Sequence, residues 1–177
     1  MNNVYTYPIQ PQQKELLNEV KKLDLRRLHY LVIQQDRKQE NLTLKELKKH
    51  IRRGIKLYVQ DLIGYQYKCG IENKIIEYVC FFETSKEFFW SQNTNSVVDE
   101  NIEMNLHFHL FISSNKSFVH IPQLIQYIIH QLISQRNKLR STKLIDYLKL
   151  ESLEDDFVLY HTKQLMYREH NSFIMKN

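Results

Sequence analysis

The chain has 177 residues, 42% of them hydrophobic and 25% charged, which is typical of one folded domain with a hydrophobic core. Its only cysteines are Cys69 and Cys80, so we do not expect a disulfide scaffold. No apolar run is long enough to span a membrane and the first residues lack the order of a secretory signal, so we expect a cytoplasmic protein without a membrane partner, or one of a host nucleus or organelle. The net charge of +5 favours an anionic partner such as nucleic acid.

The first half of the chain predicts a tail, a strand and a long helix. Residues 1–25 are expected to form a polar N-terminal tail and a short helix over residues 14–23, ahead of a single domain over residues 26–177. The segment 26–35 is apolar enough for a buried strand. Thr43 and Glu46 fit a capping box, and the apolar residues that follow at spacings of three and four predict an amphipathic helix. Its outer face, either simply solvated or a contact for DNA, carries Lys45, Lys48, Lys49, Arg52, Arg53 and Lys56.

The second half predicts an antiparallel hairpin followed by two helices. Residues 75–83 and about 104–112 are predicted strands that pair across a long polar excursion. Pro122 suits the first turn of a helix, and a last helix is predicted from after Ser152 to about His170. The predicted class is therefore α+β, with helices covering one face of an antiparallel sheet and the other face left for two histidines.

Two histidines flank one phenylalanine in the second strand of that hairpin. Because side chains alternate along a strand, His107 and His109 share one face, and Leu106, Phe108 and Leu110 share the other. The apolar face can be buried, while the two imidazoles are near enough to hold one divalent ion. A metal ion on a rigid strand is a common basis for phosphoryl chemistry.

The last predicted helix places a tyrosine and a lysine on one face. Tyr160, Lys163, Gln164 and Tyr167 follow one another at positions i, i+3, i+4 and i+7. The apolar residues of the helix lie roughly opposite and can dock on the domain, which leaves Tyr160 outward. A tyrosine so placed is a candidate nucleophile, and Lys163 can stabilise a phosphate or its leaving group. Tyr167 is interpreted as accessory.

These two patterns together resemble the HUH endonucleases. His107-Phe108-His109 has the form of their histidine motif, in which U is a bulky hydrophobic residue, and Tyr160-His161-Thr162-Lys163 is similar to the Y-x-x-K motif of single-tyrosine rolling-circle replication initiator (Rep) proteins. The resemblance implies a ferredoxin-like (RRM-like) antiparallel sheet, with the histidines on a central strand and a bound Mg²⁺ or Mn²⁺. It also implies that Tyr160 cuts single-stranded or hairpin origin DNA of a plasmid or virus, forms a 5′-phosphotyrosine link and can rejoin the DNA. Host helicase and polymerase would be further partners.

A third metal ligand is expected, because two imidazoles are a weak site for a cation that prefers oxygen. In Rep proteins that ligand is often a carboxylate on the strand before the histidines, and Glu83 ends that strand here; Glu103 and Glu77 are weaker candidates. Gln164 competes with Glu83, because Tyr160-x-x-x-Gln164 resembles the single-tyrosine transposases, in which the glutamine completes the metal site. The sequence leaves three other functions open: transposition by the same chemistry, a non-catalytic RRM-like nucleic-acid-binding module, and a phosphoesterase that uses water.

Overall fold

The computed structural model describes residues 11–35, 44–83, 107–133, 142–161 and 174–177. Its helices are α1 (Pro11–Lys21), α2 (Leu44–Ile63), α3 (Glu72–Ile75), α4 (Ile121–Ile133) and α5 (Asp155–His161). Its strands are β1 (His29–Gln35), β2 (Glu77–Glu83), β3 (His107–Ser113), β4 (Thr142–Lys149) and β5 (Ile174–Lys176). Within these ranges no helix is both long and apolar enough to cross a membrane.

The described strands form one sheet in the order β4-β1-β3-β2-β5, and every neighbouring pair is antiparallel. Leaving β5 aside, the chain runs strand, helix, strand, strand, helix, strand, with β1 and β3 inside and β4 and β2 outside. That connectivity is compatible with a ferredoxin-like fold. The α+β class and the antiparallel pairing of β2 with β3 were predicted correctly. The middle strand is β3, the strand that carries the two histidines.

One face of the sheet is covered by α2 and α4. Alternation along β3 turns Phe108, Leu110 and Ile112 toward these helices, and the buried residues of the two helices complete one continuous core. The helices meet closely at Gly54, where a Cβ atom would stand 2.7 Å from Cα of Ile128. Glycine is therefore needed here for the approach of two backbones, and this contact fixes the layer that supports β3.

The opposite face of the sheet is covered by α1 and α5, so the expectation that helices cover only one face was wrong. Tyr30, Val79, Phe81 and Phe111 form an apolar surface on that side, which has to be shielded from water. The helices shield it with a second cluster of buried side chains, which includes Leu16, Leu17 and Val20 of α1 and Val158 and Leu159 of α5.

The predicted element boundaries differ from the observed ones by a few residues. The helix predicted over 14–23 spans Pro11–Lys21, and the strand predicted from residue 75 begins at Glu77 because α3 occupies the residues before it. Strand β4 was not predicted as a definite element. The last helix begins at Asp155, and the part predicted beyond residue 161 lies outside the described residues, as does the excursion between β2 and β3.

Candidate active site on the central strand

Strand register brings the predicted metal ligands into adjacent positions. His107 lies directly opposite Glu83 of β2 on one side and Gln34 of β1 on the other. His109, two residues along β3, lies opposite Phe81 and Val32. Because directly opposite residues of antiparallel strands have Cα atoms about 4.5–5.5 Å apart, Glu83 and His107 are nearest neighbours across the sheet. The side chains of these two residues lie outside what the structure describes.

His109 is held tightly beneath the second helical layer. Its side chain is only 5% exposed, and its Nδ1 lies 2.6 Å from the hydroxyl of Tyr30. The ring of Phe81 stacks on the imidazole with a centroid distance of 4.4 Å and an interplanar angle of 3°. A hydrogen bond on one edge and an aromatic ring on one face fix the orientation of the imidazole, as a metal ligand requires.

The Tyr30 hydrogen bond is a feature that sequence reasoning missed. If Nδ1 carries the proton and donates it to the tyrosine oxygen, Nε2 keeps its lone pair and can bind a metal ion. If the hydroxyl donates instead, Nε2 carries the proton and cannot be a ligand. Tyr30 is fully buried in the strand predicted over 26–35, but only the register with β3 reveals that it meets His109.

Helix α5, which carries Tyr160, packs on the same face of the sheet as His109. Its Phe157 ring meets the Tyr30 ring edge to face at 5.0 Å and the Phe111 ring at 6.3 Å. An ion pair of 2.7 Å between Lys21 and Asp155 adds a contact between α1 and α5, although both side chains are exposed and such pairs contribute little. Val158 and Leu159, which belong to the apolar side predicted to dock, are buried there, and the part of that side beyond residue 161 lies outside the described residues.

Tyr160 follows Phe157 by three residues, which places it about 4.5 Å further along the axis of α5. Its side chain is not among those that the structure describes. Lys163, Gln164, Tyr167 and Glu103 also lie outside the described residues. The site that can be described therefore consists of the register of β1, β2 and β3, the fixed imidazole of His109, and the docking of α5.

The donor atoms of His107, His109 and Glu83 would suit Mn²⁺ better than Mg²⁺. Two imidazoles and one carboxylate offer two nitrogens and one oxygen, which Mn²⁺ accepts more readily than Mg²⁺ does. Among side chains that the structure describes, no three of His, Cys, Asp and Glu form a metal-binding group, but His107 and Glu83 are not part of that set. Glu77 pairs with Ser113 at the other end of β3, about 20 Å from His107, which is too far for a shared ion.

Comparison of the chain with protein-family models, with curated proteins and with solved structures gives no match. The resemblance to the HUH endonucleases therefore depends on the motifs themselves and on the geometry around them.

Proposed function

We propose that this protein is a metal-dependent endonuclease that nicks and rejoins single-stranded DNA through Tyr160, and that it initiates rolling-circle replication of a plasmid or virus. One observation supports the proposal more than any other. The helix that carries Tyr160 rests through Phe157 on Tyr30, and Tyr30 is hydrogen-bonded to His109. The candidate nucleophile thus belongs to an element packed on the candidate metal ligand.

The reaction would begin with in-line attack of the Tyr160 oxygen on the scissile phosphorus. A bond between the tyrosine oxygen and phosphorus forms as the bond from phosphorus to the 3′ oxygen breaks, which leaves a 5′-phosphotyrosine and a free 3′-hydroxyl. The tyrosine gives up its proton and the departing 3′ oxygen gains one. Lys163 would stabilise charge on the phosphate, and attack by a 3′-hydroxyl on the link would rejoin the strand.

His107, His109 and Glu83 are the residues that would hold the metal ion. A bound Mg²⁺ or Mn²⁺ would polarise the scissile phosphate and offset the negative charge that develops on it. His109 would supply Nε2, because Nδ1 is engaged by Tyr30. Glu83 is preferred over Gln164 as the oxygen donor, because the register sets it directly beside His107.

The burial of the aromatic sheet face argues against the RRM-like binding alternative. Modules of that kind stack unpaired bases on aromatic side chains of an open sheet. Here Tyr30, Phe81 and Phe111 are buried beneath α1 and α5 and cannot receive a base without displacement of those helices. An accessible platform for stacking is missing from this part of the described structure.

The test is covalent capture of DNA. The purified protein is incubated with a random-sequence library of short, labelled single-stranded DNA and MnCl₂, and adducts that survive denaturing electrophoresis are measured. Wild type should form an adduct, Tyr160→Phe should form none, and Tyr65→Phe should match wild type, since Tyr65 is 96% exposed and remote from β3 in sequence. An adduct that persists in Tyr160→Phe would refute the assignment of the nucleophile, and cleavage without any adduct would indicate attack by water.

A further inference from the structure

The outward face of α2 carries a continuous row of positive charge. The opposite face of this helix is buried against the sheet through Leu47, Ile51, Ile55 and other residues. At about 100° per residue, four of the basic residues fall within an arc of roughly 60° and the fifth lies beside it. We call these five residues the basic stripe: Lys45, Lys49, Arg52, Arg53 and Lys56. All are exposed except Lys56, which is partly buried.

Lys48 belongs to the basic face predicted from the sequence, but it does not belong to the stripe. Its ammonium group lies 5.6 Å from the centre of the Phe82 ring, and burial lowers its pKa. This contact also locates the stripe. Because Phe82 immediately precedes Glu83, the first turns of α2 lie at the end of the sheet where the candidate metal ligands are, but over the face opposite to His109.

Two carboxylates near the stripe, Asp61 and Glu72, accept hydrogen bonds from groups outside it. Asp61, further along α2, accepts a hydrogen bond of 2.6 Å from Tyr127 of α4. Glu72 accepts hydrogen bonds from the Tyr67 hydroxyl and the Gly70 amide. Among the residues that the structure describes, no ion pair joins a stripe residue to an acidic one. Of the five cations, Arg52 donates a hydrogen bond to the Tyr78 hydroxyl, and the other four are available to an anion from outside the domain.

The geometry of the stripe fits a duplex better than a single strand. Its eleven residue steps extend about 16 Å, over which duplex DNA presents one negative charge per about 1.7 Å of axis. Sites for unpaired strands combine charge with aromatic side chains on which bases stack. The one aromatic residue of α2 is Tyr58. It is buried, and its hydroxyl accepts a hydrogen bond from the His120 amide, so it offers no stacking surface on the outer face of the helix.

We propose that the basic stripe binds the phosphate backbone of a duplex DNA arm, so that the adjoining single strand enters the site at the end of the sheet. The identity of the DNA depends on the proposed function, but binding by the stripe can be measured without cleavage. Each lysine that contacts a phosphate contributes about 0.9 to the slope of log affinity against log salt concentration.

The experiment measures duplex affinity as a function of salt. Fluorescence anisotropy with a labelled hairpin duplex compares wild type with the triple variant Lys45→Gln, Lys49→Gln, Lys56→Gln. Its matched control is Lys14→Gln, Lys68→Gln, Lys116→Gln, which removes the same charge from exposed lysines elsewhere. The slope should decrease in magnitude by about 2.7 in the stripe variant and stay close to wild type in the control. Thermal unfolding should agree among the three proteins, as is usual for surface substitutions.

Three outcomes would overturn the inference: an unchanged slope in the stripe variant, an equal change in the matched control, or an equal change on a single strand of the same length. The adduct assay separates this inference from the proposed function. A stripe variant that loses duplex affinity but still forms the Tyr160 adduct on short single strands supports both. Loss of duplex affinity in a protein that never forms an adduct supports duplex binding and contradicts the nicking function.

Discussion

The hydroxyl of Tyr30 and Nδ1 of His109 lie 2.6 Å apart on neighbouring strands, and both side chains are almost completely buried. Tyr30 also touches Phe157 of α5. One tyrosine thus contacts the candidate metal ligand with its oxygen and the candidate nucleophile's helix with its ring. Substitutions at and around Tyr30 separate these two roles.

Tyr30→Phe should weaken Mn²⁺ binding by about 10- to 100-fold, the usual effect of removing a hydrogen bond that orients a ligand histidine. Titration calorimetry with MnCl₂ measures it. The matched control is Tyr58→Phe, because the buried Tyr58 hydroxyl accepts a 2.8 Å hydrogen bond from the His120 amide, away from β3. Both variants should lose about 1–3 kcal/mol of stability, but only the first should lose metal affinity. Equal affinity in the two variants would show that Tyr30 is merely structural.

Glu83→Gln should reduce Mn²⁺ affinity more than Glu77→Gln does. The two glutamates lie at opposite ends of β2, and only Glu83 is opposite His107. Neutralising a ligand carboxylate removes charge attraction and one good oxygen donor, whereas the same change at the far end leaves the site intact. Calorimetry on both variants, with Gln164→Leu beside them, identifies the third ligand. If only Gln164→Leu loses affinity, the oxygen donor is the glutamine.

Phe157→Ala should loosen α5 from the sheet and reduce adduct formation without loss of Mn²⁺ affinity. The ring packs on Tyr30 and Phe111 but is partly exposed, so we expect a loss of about 2 kcal/mol, less than for a fully buried phenylalanine. Phe118→Ala is the control, because that ring is 55% exposed and should change stability by no more than about 0.5 kcal/mol. Wild-type rates of adduct formation in Phe157→Ala would mean that the packing of α5 does not position the nucleophile.

Gly54→Ala should destabilise the protein by about 1–3 kcal/mol, although alanine favours a helix by about 1 kcal/mol. The added Cβ would lie 2.7 Å from Cα and 3.0 Å from N of Ile128, and backbone atoms cannot move aside as a flexible side chain does. Gly64→Ala tests backbone strain instead of a steric clash, since a Cβ there would meet no atom within 4 Å but the residue has φ of +54°. Urea unfolding of both variants measures the effects. A higher urea midpoint for Gly54→Ala would contradict the close approach of α2 and α4.

Stability should fall as pH drops below about 6.5, the ordinary histidine value, because two histidines are kept neutral in the fold. Burial lowers the pKa of His29, with Lys149 and Arg27 adding to the effect, and burial followed by Lys49 lowers the pKa of His50. The unfolded chain therefore takes up protons first, which stabilises it by at most about 1.4 kcal/mol per pH unit for each histidine.

The pH effect is measured by urea unfolding between about pH 7.5 and 5.5, above the range where most carboxyl groups titrate. His50→Leu should flatten the dependence, because the buried Nδ1 of His50 has no hydrogen-bond partner among described residues and leucine fits an apolar site. His130→Gln, an exposed change on α4, is the control. If the curves of wild type and His50→Leu have the same slope, His50 does not contribute to the pH dependence.

The elements with a strong local signal were predictable from the sequence. The spacing of Leu47, Ile51 and Ile55 gave α2, and the two apolar runs around the excursion gave the β2–β3 pair. The layer formed by α1 and α5 was not predictable, because the sequence of neither helix indicates which face of the sheet it covers. Strand β4 was missed because its lysines and aspartate break the apolar pattern of a buried strand, as an edge position allows.

The candidate site divides in the same way. The candidates His107, His109 and Tyr160 could be named from motifs, because their residue types and spacing suit metal binding and nucleophilic attack. Tyr30 could not, since its role depends on a register between strands that are 79 residues apart at the contact with His109. A one-residue slip of β1 against β3 would turn Tyr30 to the other face, so its role exists only in the folded sheet.

Because helices cover both faces of the sheet, a DNA substrate has few routes to the histidines. Helices α2 and α4 lie over one side of β3, and α1 and α5 lie over the other. A DNA strand that reaches the two histidines would have to approach end-on, past the tips of β2 and β3, rather than lie along the sheet. Such an entry would admit a phosphate but exclude the broad base-by-base contact of an open sheet. Selection of the cut site would then depend on contacts that the DNA makes outside the sheet.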